Sequence, residues 1–169
     1  KPIAFKYHFV SSVNTGLPSG LDLDGNGKTT DPGDAYGFGR YPGQYGMVVL
    51  SQFPISSDTK TFQNFLWKDM PQAMLPQKVK PSDTKESYYS SVILDKFRLS
   101  SKSHWDLTIE TPKRDIHFLV SHPTPPVFDG PEDKNGCRNH DEIRFWADYI
   151  SGDKSQYIYD DEGRRGGLT

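Results

Sequence analysis

His122 stands at the end of a strand-like run, residues 115–121, and is followed by Pro123-Thr124-Pro125-Pro126 and an acidic stretch containing Asp129, Glu132 and Asp133. Histidine exchanges protons near neutral pH, ligates metals and donates to phosphates. The C-terminal ends of strands are where α/β proteins tend to place their chemistry. His122 is therefore the first candidate for a catalytic role. Ser100-Ser101-Lys102-Ser103-His104-Trp105-Asp106 forms a second concentration of polar groups. Lys102 and His104, set among hydroxyls, suit a phosphoester, although the same groups also make a hydrogen-bonded strand start. Arg138 carries a planar fork able to clamp either a phosphate or a loop.

A third cluster offers oxygen rather than nitrogen. Asp22, Asp24 and Asn26 place ligand atoms at alternate positions, and Gly27 falls where a calcium loop must turn sharply. The twelfth position is Gly33, which leaves Asp31 or Asp34 to complete a shell. The loop is read either as a structural calcium site or as a series of Asx turns. Asp129, Glu132 and Asp133 read as a solvated acidic loop. His8 and His117 alternate with apolar neighbours and read as packing or surface residues. His140 reads as a capping or exposed residue, and Arg144 as a surface or salt-bridge residue. Cys137, in an expected loop, is the single cysteine, so no intrachain disulfide can form and no second thiol builds a redox or zinc pair.

These side chains need elements to hold them. Ile3, Phe5, Tyr7 and Phe9 alternate with Lys6 and His8, predicting a half-buried strand within residues 1–12. Residues 14–46 hold nine glycines and read as one long loop, a length usual only where a loop is functional or tied down by a ligand. Residues 45–51 form an apolar run expected to be a buried strand. Within the Ser-, Lys- and Pro-rich stretch 56–96, residues 62–67 read as a short helix or strand. Strands are expected at 97–100, 105–110 and 115–121, the last two as a hairpin. A helix is expected at 140–151, with Asn139 and Glu142 as a capping box, a buried stripe of Ile143, Trp146, Ala147 and Ile150, and Gly152 as its stop. The chain from Asp160 to Gly167 reads as loop.

Composition narrows the class. Apolar content of 34% with 15 glycines and 13 prolines favours a loop-rich domain over a helical bundle, and 169 residues suffice for one core. A net charge of −2 gives no general attraction to nucleic acid or anionic lipid, though Arg98, Lys102, Lys134, Arg138 and Arg144 could converge locally. No apolar run approaches the length of a membrane span.

Three segments give the chain a resemblance. Tyr45-Gly46-Met47-Val48-Val49-Leu50-Ser51-Gln52-Phe53-Pro54-Ile55, the strand closing Val120-Ser121-His122, and Arg138 with its helix resemble the endonuclease/exonuclease/phosphatase superfamily, which includes the pancreatic-type deoxyribonucleases. Gly37-Phe38-Gly39-Arg40-Tyr41-Pro42-Gly43-Gln44-Tyr45-Gly46 and the 100–106 cluster resemble a bacterial hydrolase-like subgroup of it. The resemblance implies an α/β (α+β) fold, a four-layer αββα sandwich of two packed, mainly antiparallel sheets. It implies Mg²⁺- or Mn²⁺-dependent attack of water on a phosphoester, with His122 on the scissile phosphate and Lys102 near a phosphate-facing basic position. Nuclease, phosphomonoesterase and other phosphodiesterase specificities stay open, and the net charge argues against a processive nuclease.

The family also carries a metal-binding Glu after an early strand Asn, a Gly-Asp-x-Asn element and a C-terminal Ser-Asp-His, and none of these occurs here. The expectation is that residues 1–169 are the central portion of a longer, secreted or periplasmic domain. Such a segment would be inactive, or close to it, in isolation. The alternative is a non-catalytic, calcium-stabilised binding module on a decayed hydrolase fold.

Overall fold

The computed structural model describes residues 2–79 and 86–168; residues 80–85 of the Ser-, Lys- and Pro-rich stretch and the two end residues lie outside the described residues. In chain order the strands and α-helices are β1 (Tyr7–Phe9), β2 (Val49–Ser51), β3 (Lys60–Thr61), α1 (Ser91–Leu94), β4 (His104–Glu110), β5 (Asp115–Ser121) and α2 (Lys134–Tyr149). Short 3₁₀ turns lie at Pro32–Asp34, Trp67–Asp69 and Ser155–Tyr157. The fold is mixed α and β, rich in loops, with two small antiparallel sheets ordered β1-β2 and β3-β4-β5.

The β4–β5 hairpin forms as its sequence predicts. β-branched and aromatic residues fill both strands, and the Thr111 hydroxyl donates to the Arg114 carbonyl (2.5 Å) to close the turn. The register pairs His104 with Ser121 and Glu110 with Asp115. Cross-strand partners share a face, so the sheet has two chemically different sides. Trp105 and Leu107 are buried with Phe9, Val13 and Val49, and Phe9 meets Trp105 edge-on at 5.1 Å. On the other side His104, Asp106 and Leu119 face α2, where Phe62, Phe65, Phe145 and Tyr149 build the larger core. Helix, three-stranded sheet and two-stranded sheet thus lie in that order.

α2 departs from expectation. It begins at Lys134, six residues before the predicted start, and ends at Tyr149, before Gly152. Its start is set by Asp133 in the left-handed region (φ 51°) and by the Asp129 carboxylate, which accepts from the Asn135 amide at 2.6 Å. Asn135 and Gly136 are weak helix formers, so the first turns carry no propensity signal. Asn139 and Glu142 lie in the interior of the helix and form no capping box. Cys137 is helical, not in a loop. The buried stripe is Arg138, Asp141, Glu142, Phe145, Asp148 and Tyr149, while Ile143 and Ile150 are each 57% exposed. Each buried polar member of the stripe has a hydrogen-bonding partner, so the face turned to the core is not the most apolar one.

Other elements differ too. The strand expected within residues 1–12 is three residues long, and Ile3 and Phe5 are exposed rather than half-buried. In the 45–51 run only residues 49–51 are strand, with Val49 buried and Leu50 outward, because among the described residues β2 pairs only with β1 and Leu50 meets solvent. Residues 97–100 contribute a single bridge, Arg98 to Leu66, instead of a strand. Residues 62–67 are irregular apart from that bridge and the 3₁₀ turn starting at Trp67. The 14–46 loop is held by Asn14, whose backbone amide donates to the Lys102 carbonyl (2.8 Å) while its side chain donates to the Ser100 and Gln63 carbonyls. Among the described residues no helix is long and apolar enough to cross a membrane.

Candidate functional site

The hairpin register places the first functional groups. Because His104 pairs with Ser121, residues before β4 and after β5 leave the sheet at the same end. Lys102 and His122 therefore share one cavity of about 480 Å³, whose wall also includes Ser101, Thr124, Thr15 and Arg138. Glu142 of α2 fixes the two segments against each other. One of its carboxylate oxygens accepts from the Ser101 amide (2.7 Å) and hydroxyl (3.0 Å), and the other accepts from the Thr124 amide (2.5 Å). Thr15 arrives through the anchoring of the neighbouring Asn14 to Lys102.

The cavity holds more cation than anion. Lys102 is buried and its ammonium donates to the Ser101 hydroxyl at 3.3 Å; among the described residues it forms no ion pair. Burial lowers its pKa, Glu142 opposes that, and Arg138 adds to it. The His122 pKa is also lowered, first by burial and then by Lys102. Its imidazole is thus neutral at neutral pH and acts there as a hydrogen-bonding group rather than a charge. Arg138 is buried, stacked 4.7 Å from the Phe97 ring, and donates to the carbonyls of Leu99 (2.8 Å), Tyr36 (2.6 Å) and Arg98 (3.0 Å). Its fork clamps loops, and its positive charge remains at the cavity wall.

Two buried hydroxyls lie close to this wall. Among the described residues, three buried side-chain polar atoms lack a partner: Thr15 Oγ1, Thr124 Oγ1 and Trp105 Nε1. Both threonines belong to this cavity wall. Their oxygens are almost wholly inaccessible, so the two residues shape the wall without presenting a hydroxyl to the cavity interior. Neither threonine, nor Glu142 as an organiser, is marked by a local sequence pattern.

The other candidates fall elsewhere. His104 is fully buried between Phe145 and Trp146 and does not line the cavity; its Nε2 donates to the Glu142 carbonyl at 2.8 Å. Of its two readings, the hydrogen-bonded strand start is the one its geometry matches. Lys134 joins Lys102 and Arg138 at the cavity, but Arg98 bonds Asn14 and Arg144 reaches the Pro71 and Gln72 carbonyls, so the five basic residues do not form one patch. His140 pairs with Asp141 at 2.9 Å, and His117 with Asp106 at 2.8 Å. The Cys137 thiol is pushed up by burial and nearby carboxylates, which keeps it protonated and unreactive.

In the oxygen-rich loop, Asp22, Asp24 and Asp34 bring one carboxylate oxygen each within 4.8 Å of one another. Asn26 lies beside them: its side chain donates to Asp24 and Asp31, and its oxygen accepts from the Lys28 amide. Asp22 accepts from the amides of Gly25, Asn26 and Gly27, and Asp34 from those of Leu23 and Asp31. Asp24 also lines the cavity. The chain matches no family model, no curated protein and no solved structure.

Proposed function

We propose that the cavity is the phosphate-binding part of a metal-dependent phosphoesterase site. The observation that carries this reading is the buried Lys102 ammonium, without an ion pair among the described residues, sharing one cavity wall with His122. A phosphate oxyanion is the group that would match an ammonium and a neutral imidazole donor together. The helix–sheet–sheet order supports placing the chain in the four-layer sandwich that the resemblance implies.

A catalytic Mg²⁺ or Mn²⁺ does not fit the cavity residues. Such ions take carboxylate and water oxygens, and among the described residues Asp24 is the one carboxylate lining a wall that also carries Lys102, Lys134 and Arg138. What this chain contributes is binding and orientation: Lys102 offsets phosphate charge, His122 donates to a non-bridging oxygen, and Glu142 keeps both segments in register.

Two measurements test the reading. Calorimetric titration of inorganic phosphate should give saturable binding that Lys102→Met weakens at least about tenfold. Assays of the full-length protein on a phosphodiester and a phosphomonoester with Mg²⁺, Mn²⁺ or EDTA should show metal-dependent hydrolysis. His122→Ala should lower it about 100-fold or more. Full activity in that variant overturns the role of His122. A calcium-stabilised binding module is the second reading, favoured by the approach of Asp22, Asp24 and Asp34. It stands second because backbone amides already satisfy much of those carboxylates. Its mark would be a calcium-dependent rise in Tm, lost in Asp34→Asn, without phosphoesterase activity.

A further inference from the structure

The same cavity has a second chemical character that a phosphate alone does not use. Phe38, Tyr45 and Phe128 line it and yet are 60%, 55% and 91% exposed. Tyr45 (φ 61°) and Phe128 (φ 66°) also adopt left-handed backbone, which bulky side chains rarely do. Such conformations persist where surrounding structure enforces them, and they concentrate at ligand sites. Both loops are enforced here. The turn carrying Tyr45 is closed by the Gly46 amide on the Gly43 carbonyl (2.9 Å) and tied to Thr15 by the Gly43 amide (3.1 Å). The loop carrying Phe128 is pinned by Asn135 of α2, which donates to the Val127 carbonyl at 2.8 Å.

We infer that the ligand is a small phosphate ester of a planar ring system, with its phosphate at Lys102 and His122 and its ring against Phe38, Tyr45 and Phe128. This deepens the phosphoesterase reading and rests on it. Aromatic rings pack edge-on or offset against planar groups, which gives exposed rings at a cavity a partner of matching shape. A cavity of about 480 Å³ is the size of a single small-molecule site. A nucleic-acid strand would need a basic track along the surface, whereas Lys102 and Arg138 are buried and the chain carries a net charge of −2.

The test titrates four probes into the full-length protein by calorimetry in EDTA: inorganic phosphate, methylphosphonate, phenylphosphonate and a short single-stranded thymidine oligonucleotide, which is not cleaved without metal. Phenylphosphonate should bind about tenfold or more tighter than methylphosphonate. Phe128→Asn keeps a residue that tolerates left-handed backbone, and it should bring phenylphosphonate affinity toward the methylphosphonate value. Phe38→Ser should act in the same direction, and Lys102→Met should weaken both phosphonates. Equal binding of the two phosphonates, with the Lys102 dependence intact, overturns the ring site and leaves the phosphate site standing. No binding of phosphate or either phosphonate overturns both. An oligonucleotide that binds tighter than phenylphosphonate and loses affinity in Phe128→Asn overturns the small-molecule assignment.

Discussion

At the scale of single residues, the cavity trades stability for binding. A buried ammonium without an ion pair is held at a desolvation cost, and the lowered pKa of Lys102 is the sign of it. Lys102→Met should therefore raise Tm at pH 7 by a few degrees, roughly 1 kcal/mol, while it weakens phosphate binding. Scanning calorimetry of both forms checks the stability half; a large loss of Tm would mean Lys102 is structural. His104 presents the opposite case. Its pKa is lowered from 6.5, chiefly by burial, with Glu142 opposing. Unfolded histidine takes up a proton near 6.5 and the buried one does not, so the unfolded state binds more protons below that pH. The stability it allows is present above about 6.5 and is lost as pH falls. His104→Phe should make denaturant midpoints less dependent on pH between about 6.5 and 5, at the expense of the bond to the Glu142 carbonyl.

At the scale of elements, α2 and the 14–46 loop frame the site through contacts that tolerate little change. Glu142 takes three hydrogen bonds from the segments on either side of the hairpin. Glu142→Ala would orphan the Ser101 and Thr124 amides and remove the negative charge beside Lys102 and Arg138. A loss of about 3 kcal/mol or more in urea denaturation is expected. The loop has an equally tight point at Gly37, where an added Cβ would lie 2.0 Å from the Ser101 carbonyl oxygen. Gly37→Ala should cost about 2–3 kcal/mol. Phosphate affinity should fall with it, because the same displacement moves Ser101. Stability unchanged in Gly37→Ala would show that the loop does not press against the 100–103 segment.

At the scale of the whole molecule, the aromatic core sets the alkaline limit. Burial raises the pKa of Tyr159 to about 12 and pushes Tyr89, Tyr149 and Tyr157 up as well, with hydrogen bonds to Asp106, Asp148 and Asp69 reinforcing Tyr149, Tyr157 and Tyr159. The unfolded phenols lose protons near pH 10 and the folded ones do not. The stability from these groups is full below about 10 and is lost as pH rises toward and beyond 12. Unfolding followed by tyrosinate absorbance should accordingly set in above about pH 10 as a cooperative step. Gradual titration of all nine tyrosines as free phenols would contradict this core.

Much of the arrangement was legible in the residues themselves. Alternation with β-rich residue types located the hairpin, and its end put His122 at a strand terminus, because period-2 patterning is a local property of the backbone. Glycine density marked 14–46 as a loop for the same local reason, whereas the long-range hydrogen bonds of Asn14 that hold it were not legible. The start and facing of α2 were not legible. Its cap comes from Asp129 in the preceding loop, and its buried face is polar because Leu99, Ser101, Thr124, Trp67 and Tyr157 supply partners from distant segments. Of Asp31 and Asp34, between which the sequence left the choice open, the fold brings Asp34 to Asp22 and Asp24. The sequence by itself determined the inventory of chemistry: a histidine after a strand, a lysine among serines, an arginine in a helix. Tertiary structure alone decided that His122, Lys102, Arg138, Thr15 and Thr124 line one cavity and that His104 does not. Hairpin register and long-range hydrogen bonds, which no local pattern encodes, fix which side chains share a space.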